Sequence, residues 1–429
     1  MGEAEEKLEP SGPLLPDLSP DVLLPEAERR STSPLRSRDF LLFWTAGAVD
    51  GLGTCASSLF LPLILLGAGH SAGLAGLVAS VALVSGLVVS PIAGVFADRW
   101  PRKPMMYAAA LVAACAMGSV FVTVALGHVL LVHVLVAAAV EQAASATYGA
   151  AASGTIRRLV PPEGYTRAIG YLQARDQAVQ IVGPTLGGVL YQLSRWVPLL
   201  ADAVSFLLVA VLSRAIRTDL TPERGGPAEP FTRELAEGLR FVCAEPFLRF
   251  VVVWTAGINA LLGALYFHAV FASHAQGASP SSIGLILTLA GVGGLLGALA
   301  APWLVRRVPA ALIVTAASWV MVPTAAGLAF ATRTWAYGLL LGGVSLIVPS
   351  VVVVLQTRAV LATPDRLLAR MGTVLGTAGQ GVAVLAPLAA GVLVAQYGGR
   401  AVALGCAGAF AGLALYATSR AALVVEEAP

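Results

Sequence analysis

Gly94-Val-Phe-Ala-Asp98-Arg99-Trp100-Pro101-Arg102-Lys103 and Gly297-Ala-Leu-Ala-Ala301-Pro302-Trp303-Leu-Val-Arg306-Arg307 are two passages of one chain, and their spacing decides how the rest is read. Gly94 and Gly297 stand 203 residues apart (297 − 94), as do Trp100 and Trp303, Arg167 and Arg370, and Pro184 and Pro387. One offset recurring on both sides of a long apolar stretch predicts a duplicated unit. The copies are unequal, because Ala301 stands at the place of Asp98. Membrane proteins built from two related halves place their binding site between them. The duplication therefore predicts where function sits.

Composition sets the class. Of 429 residues, 57% are hydrophobic and 12% charged, with a mean hydropathy of +0.81, whereas a soluble domain carries about 25% charged residues. A soluble chain of this length could not hide so much apolar surface, so lipid must solvate it. Cys55, Cys115, Cys243 and Cys406 show no metal spacing and imply no disulfide framework. Residues 1–38 hold Glu3, Glu5, Glu6, Glu9, Asp17, Asp21 and several prolines, the composition of a disordered tail. They lack a basic segment leading into a short apolar core, so a cleaved signal peptide is not expected.

Runs of about 20 apolar residues are needed to cross the hydrocarbon, and only helices satisfy their backbone there without closing a barrel. Twelve such runs are predicted, near 40–66, 73–96, 104–126, 129–152, 168–193, 198–213, 247–272, 282–304, 310–331, 336–357, 371–395 and 400–418. The fold class is thus an all-α membrane protein, twelve transmembrane helices in two pseudo-symmetric six-helix bundles. Of the 27 Lys and Arg, 23 fall in the tail, the even-to-odd connections and the C-terminus. Only Arg195, Arg333 and Arg400 lie on the other side, and Arg175 lies inside a span. The excess of cations on the inner side predicts cytoplasmic termini. The expected organisation is a tail at 1–38, a bundle at 39–213, a linker at 214–246, a second bundle at 247–418 and a short tail at 419–429. In the linker, Phe231, Leu235, Leu239 and Val242 recur at helical spacing and predict an amphipathic helix on the inner surface.

The loop after the second span resembles the signature turn of the major facilitator superfamily, carried by Gly94, Asp98, Arg99, Arg102 and Lys103, with Pro101 where the pattern has glycine. The resemblance covers nearly all of residues 38–420. Three stretches are similar to the enterobactin-exporter and macrolide-efflux branch, the transmembrane secretion effector group. They are Ala201-Asp202-Ala203-Val204-Ser205-Phe206, Glu237 through Val242 running on to Arg249, and Ile283-Gly284-Leu285 leading to Gly293 through Gly297. Asp98 among three cations implies a gating latch at a helix end, one that Ala301 weakens in the second half. Gly170, Gly183, Pro184, Gly187 and Gly188 resemble the antiporter motif, with Val179 at one glycine position. Physically, small residues let helix backbones approach closely and Pro184 removes a backbone bond. Ordinary packing is the plainer alternative.

A charge at the bilayer centre costs on the order of 3 kcal/mol, which makes intramembrane acids candidates for function. They are Asp50, Glu141, Asp176 and Asp202, all in the first half. Asp50 and Thr54 share a face with Ser57 and Ser58, and Glu141 shares one with Ser145 and Tyr148. Gln173, Asp176, Gln177 and Gln180 form a polar stripe suited to a wet cavity. Asp202 is expected near the outer end of its span, close to water and structural. Arg175 and Asp176 point about 100° apart as helix neighbours, so they are expected to pair poorly. The five histidines show no metal spacing, and His268 is expected to be packed.

The expected function is proton-driven export of a small amphipathic organic compound such as a drug, macrolide or siderophore by alternating access. The chain is expected to work as a monomer in the lipid bilayer of the cell membrane, with protons as coupling ion, no cofactor, no metal, no nucleic acid and no enzymatic activity. No phosphate-binding loop ending in Lys and Ser or Thr supports ATP as the drive. The competing readings are a symporter or facilitator importing a nutrient and, from another class, a non-transporting membrane receptor or enzyme.

Overall fold

The structure is a computed structural model that describes residues 34–161, 164–221, 239–363 and 368–425. The described residues are helical throughout, without a strand. The first half contributes α1 (Arg38–Gly67), α2 (Ala72–Arg99), α3 (Arg102–Ala125), α4 (Leu131–Ser153), α5 (Tyr165–Leu193) and α6 (Val197–Ala215). The second contributes α7 (Pro246–Ala275), α8 (Pro280–Arg307), α9 (Ala310–Phe330), α10 (Thr334–Leu361), α11 (Leu368–Gly381), α12 (Ala386–Tyr397) and α13 (Gly399–Ser419).

The ends follow from local chemistry. Ser37, Ser71 and Ser279 cap α1, α2 and α8 by accepting the amide of the residue three positions on. Gly69, Gly127 and Gly277 take positive φ and close the hairpin turns remote from the termini. Pro101 has φ −57° and ψ 121° as the residue before α3, a conformation its ring favours. Proline therefore serves where the signature turn has glycine.

Among the described residues eleven stretches are long and apolar enough to cross a membrane, with α11 and α12 sharing one of them. The twelfth long helix, α5, has 29 residues but is interrupted by Gln173, Arg175, Asp176, Gln177 and Gln180. The helix that escapes a hydropathy test is thus the one with the polar stripe. The eleventh span is broken, contrary to the single helix expected, by a 3-10 turn at Ala383–Leu385. Pro387 has no amide to offer the carbonyl four residues back, which here is Ala383. Pro184 sits inside an unbroken α5.

Within the first bundle α2 packs on α4, α3 on α4 and α6, and α1 on α5 and α6; in the second, α8 packs on α10 and α9 on α13. Large apolar side chains, among them Val88, Ile92, Val211 and Leu299, are left exposed. Exposed Trp100, Trp303, Trp335 and Tyr397 stand near helix ends, the level of an interfacial aromatic belt.

The register of the repeat changes along the chain. The matching ends of α2 and α8 are Arg99 and Arg307, which differ by 208 (307 − 99), and Pro101 and Pro309, preceding α3 and α9, differ by the same amount. Only from the fifth span on does 203 hold, with Gly188 and Gly391 as matching contacts (391 − 188). The structural counterpart of Asp98 is therefore Arg306 rather than Ala301. The second half still lacks the carboxylate.

Residues 1–33 and 222–238, which include most of the expected tail and of the amphipathic linker helix, lie outside the described residues. Pro34–Arg36 form a 3-10 turn and Arg38 already begins α1, so the tail boundary placed at 38 falls inside a helix. Leu239 is exposed and Val242 buried.

Candidate functional site

Two helix crossings join the bundles, and they are copies of each other. In the first, Gly76 of α2 lies against the Pro387 carbonyl so closely that a Cβ would collide with it, and Gly391 lies in the same way against the Ala72 carbonyl. In the second, Gly284 of α8 lies against the Pro184 carbonyl, and a Cβ on Gly188 would stand 2.8 Å from the Pro280 oxygen. Gly284 and Gly76 differ by 208 (284 − 76), and Gly391 and Gly188 by 203 (391 − 188), the two registers of the repeat. The hydrogen bonds repeat as well. The Leu388 amide donates to Ser80 Oγ at 3.0 Å, and Thr288 Oγ1 donates to the Ile181 carbonyl at 2.8 Å. Gln192 adds a bond to Ser281 Oγ at 2.6 Å. All these contacts lie in the halves of the helices remote from the termini.

Glycines 183 and 187 face α1 instead, against Cys55, Ala56 and Phe60, and Gly170 has open space around it. The antiporter-like run is thus split between packing inside the bundle and sealing the gap between bundles.

α5 turns two faces outward, and the polar one lies nearer the termini. Val182, Leu186, Val189 and Leu193 are exposed on one side; Gln173, Asp176 and Gln180 are exposed on the opposite side. Helical spacing of 100° per residue separates these sets by about half a turn, so the polar set faces the space between the bundles. Gln177 marks the last tie, donating to the Gly291 carbonyl at 3.2 Å.

Arg175 corrects the expectation of a poor pair. Its Nε and Nη2 donate to Asp176 Oδ1 at 2.9 and 2.7 Å. The 100° rule concerns where Cβ atoms point, and arginine is long enough to fold back. It has room because its guanidinium occupies the place where Gly47 of α1 would carry a Cβ. Asp50, one turn along α1, is also within electrostatic reach of Arg175. One cation thus stands between two acids on different helices. Gly47→Ala is expected to push the guanidinium off this seat and weaken transport severalfold. The cost to folding should stay below about 1 kcal/mol, since a partly exposed ion pair contributes little. Thermal denaturation and transport measured on the same preparation check both halves of that expectation.

The other acids meet inside the first bundle. Glu141 is 8% exposed and Asp202 0%, and each lies within electrostatic reach of Asp50 and of the other. Ser145 donates to Glu141 Oε1 at 2.9 Å, and Tyr148 is buried beside them. The Glu141 stripe therefore faces the bundle interior, not the open cavity. Asp202 is corrected too: it is fully enclosed between α6 and α1, with Oδ1 beside Gly53, instead of close to water. Thr54 is half-buried, and its carbonyl accepts from Ser57. His268 is buried against the Tyr337 ring, 6.1 Å between centroids.

The signature turn stitches the first bundle at its terminal end. Arg102 donates to the Gly154 carbonyl at 2.7 Å and to Ala97 at 3.3 Å, and Lys103 donates to the Ile216 carbonyl. These carbonyls sit at the C-terminal ends of α4, α2 and α6, where cations are favourable. Across the same end Asp39 accepts from the Thr218 amide and hydroxyl at 2.7 and 2.6 Å. Asp98 lies in the last turn of α2, with its side chain outside what the structure describes; Arg99 is exposed, and nothing lies within 4 Å of a Cβ built at Gly94. Among the described residues no group of three His, Cys, Asp or Glu could hold a metal ion.

Comparison with known proteins follows the same lines. The family model described as Major Facilitator Superfamily matches residues 43–382. Multidrug efflux pump Tap of Mycobacterium tuberculosis is 31% identical over 285 residues, 63% of this chain and 66% of that protein. Macrolide efflux protein A of Streptococcus pyogenes is 27% identical over 205 residues, covering 46% of this chain and 50% of that protein. The alignments thus span two thirds or less of these relatives. Among solved structures, the nucleoside transporter NupG superposes with a TM-score of 0.70 at 13% identity, over 89% of this chain and 98% of that one. A bacterial homologue of iron transporter ferroportin in an inward-facing state reaches 0.68 at 17% identity, over 91% and 99%.

Proposed function

Because this chain belongs to the major facilitator superfamily, we propose that it is a proton-coupled exporter of small amphipathic organic compounds, lodged in the cell membrane with both termini in the cytoplasm. The observation that carries the proposal is the set of acids held inside the first bundle. Asp50, Glu141 and Asp202 gather there with Arg175 as the cation in reach of Asp50. Intramembrane acids are rarely kept without a use, and such a set suits proton exchange and neutral or cationic cargo. Drug and macrolide efflux proteins among the relatives support export over import.

With cytoplasmic termini, the sealed crossings face outward and the polar stripe of α5 faces a gap open to the cytoplasm, where an exporter loads. Cargo would meet Gln173, Asp176, Gln177 and Gln180 there. Rocking the bundles would then close the terminal end, where Arg99, Arg102, Lys103 and Asp98 form the gating loop. Protons entering from outside would reach Asp50 and Glu141 as cargo leaves. The membrane potential adds about 2.3 kcal/mol per charge per 100 mV.

The test is made in inverted vesicles enclosing a pH indicator, offered hydrophobic cations, macrolides and siderophores in turn. Proton release from the lumen on addition of one cargo, with that cargo accumulating inside, is the expected result. Accumulation without proton movement would refute coupling.

A further inference from the structure

One acid in the first bundle has no counterpart in its packing. Asp202 is fully buried, and among the described residues neither of its carboxylate oxygens has a hydrogen-bond partner. Two hydroxyls are within reach, yet both are spent elsewhere: Ser57 donates to the Thr54 carbonyl at 3.3 Å and Ser205 to the Asp202 carbonyl at 2.7 Å. Glu141 is treated differently, since Ser145 Oγ donates to its Oε1 at 2.9 Å. So two neighbouring acids differ in one respect. Glu141 is furnished with a donor for a charged form; Asp202 has within reach only hydroxyls that already donate to backbone carbonyls, and an unpaired buried carboxylate is costly.

The surroundings leave room for little else. From α1 come Asp50, Cys55 and Ser57, from α4 Glu141 and Tyr148, and from α5 Arg175, which is taken up by Asp176. The facing part of α3 presents Ala109, Ala110 and Ala113, and the space they bound with Asp50, Ser145 and Tyr148 holds no void the size of a water molecule.

We propose that Asp202 and Glu141 form a two-seat proton site, with the coupling proton on Asp202 in the conformation seen here. This rests on the proton-coupled reading above. Transfer breaks the Asp202 O–H bond and makes a Glu141 O–H bond, one carboxylate being exchanged for the other. Ser57 and Ser205 then turn their hydroxyls from backbone carbonyls to the newly charged Asp202, while Ser145 can accept from Glu141. Asp202 is thereby a proton-carrying residue and not the structural one its sequence position suggests.

The test is infrared spectroscopy of the purified full chain in lipid nanodiscs at neutral pH, in water and in heavy water. A carbonyl band of a buried carboxylic acid, shifted by deuterium, is expected in the wild type. It should persist in Glu141→Gln and vanish in Asp202→Asn, with Asp202→Glu moving it should the asparagine impair folding. In vesicles Asp202→Asn should bind cargo as the wild type does yet release at least ~10-fold fewer protons per cargo. A band untouched by both Asp202 variants overturns the proposal, as does wild-type proton release in Asp202→Asn. Failure of the coupled reading looks different: no cargo evokes proton release even from the wild type.

Discussion

Replacing Glu141 by glutamine is expected to abolish gradient-driven export while leaving exchange of cargo for cargo across the membrane. The side chain is 8% exposed and bonded to Ser145, so the amide fits the same space and can still accept that bond. What it cannot do is take up and give back a proton. One charge moved across 100 mV is worth about 2.3 kcal/mol, and each 1.4 kcal/mol is about tenfold, so accumulation should fall by roughly 40-fold for each proton lost from the cycle. Asp50→Asn should act in the same direction, and it also removes one of the two acids within reach of Arg175. With the proposed coupling the wild type should export faster as the outer pH falls, because protons would load from outside; both variants should lose that dependence. Export by Glu141→Gln that still follows the outer pH would remove Glu141 from the proton path.

Much of this architecture was legible from apolar runs, because the bilayer imposes a length and a polarity that few other constraints rival. The family match and the solved structures place the chain in the fold that those runs predict. Side-chain pairing was not legible. Arg175 meets Asp176 only because Gly47, 128 positions earlier (175 − 47), leaves a seat for the guanidinium. Nothing in the local spacing reports a vacancy on another helix. Asp202 misled for a related reason. Depth along a helix does not give exposure when α1 and α3 both cover that face. The repeat misled through real matches at the wrong register: Trp303 lies inside α8 while Trp100 ends α2. Pro101 and Pro309, each preceding a helix, are the pair that carries the structural correspondence.

That correspondence yields the second large effect. Gly76→Ala combined with Gly284→Ala is expected to hold the transporter open on the side remote from the termini and to stop export. Each added methyl would collide with a backbone carbonyl, of Pro387 or of Pro184, and a carbonyl inside a helix cannot swing aside as a side chain can. Overpacking costs typically about 1–3 kcal/mol per site. The two crossings share no partners, so the costs should add, giving roughly 2–6 kcal/mol against the closed form, about 30-fold to 10⁴-fold in its population. Folding should not suffer equally, since alanine is the better helix former by about 1 kcal/mol and the open form leaves the methyls free. Cys55 offers a reporter. It lies beneath the second crossing against Gly183, and Tyr266 of the other bundle is within reach. With Cys115 and Cys243, both exposed, replaced by serine, a membrane-impermeant thiol reagent added outside should label Cys55 only when the crossings part. Labelling should be slow in the parent and fast in the double variant, each single variant falling between. Gly408→Ala on α13 serves as the control, because nothing lies within 4 Å of a Cβ there, and it should change neither labelling nor export. Equal labelling of parent and double variant, with export intact, would mean that these crossings are not the outer seal.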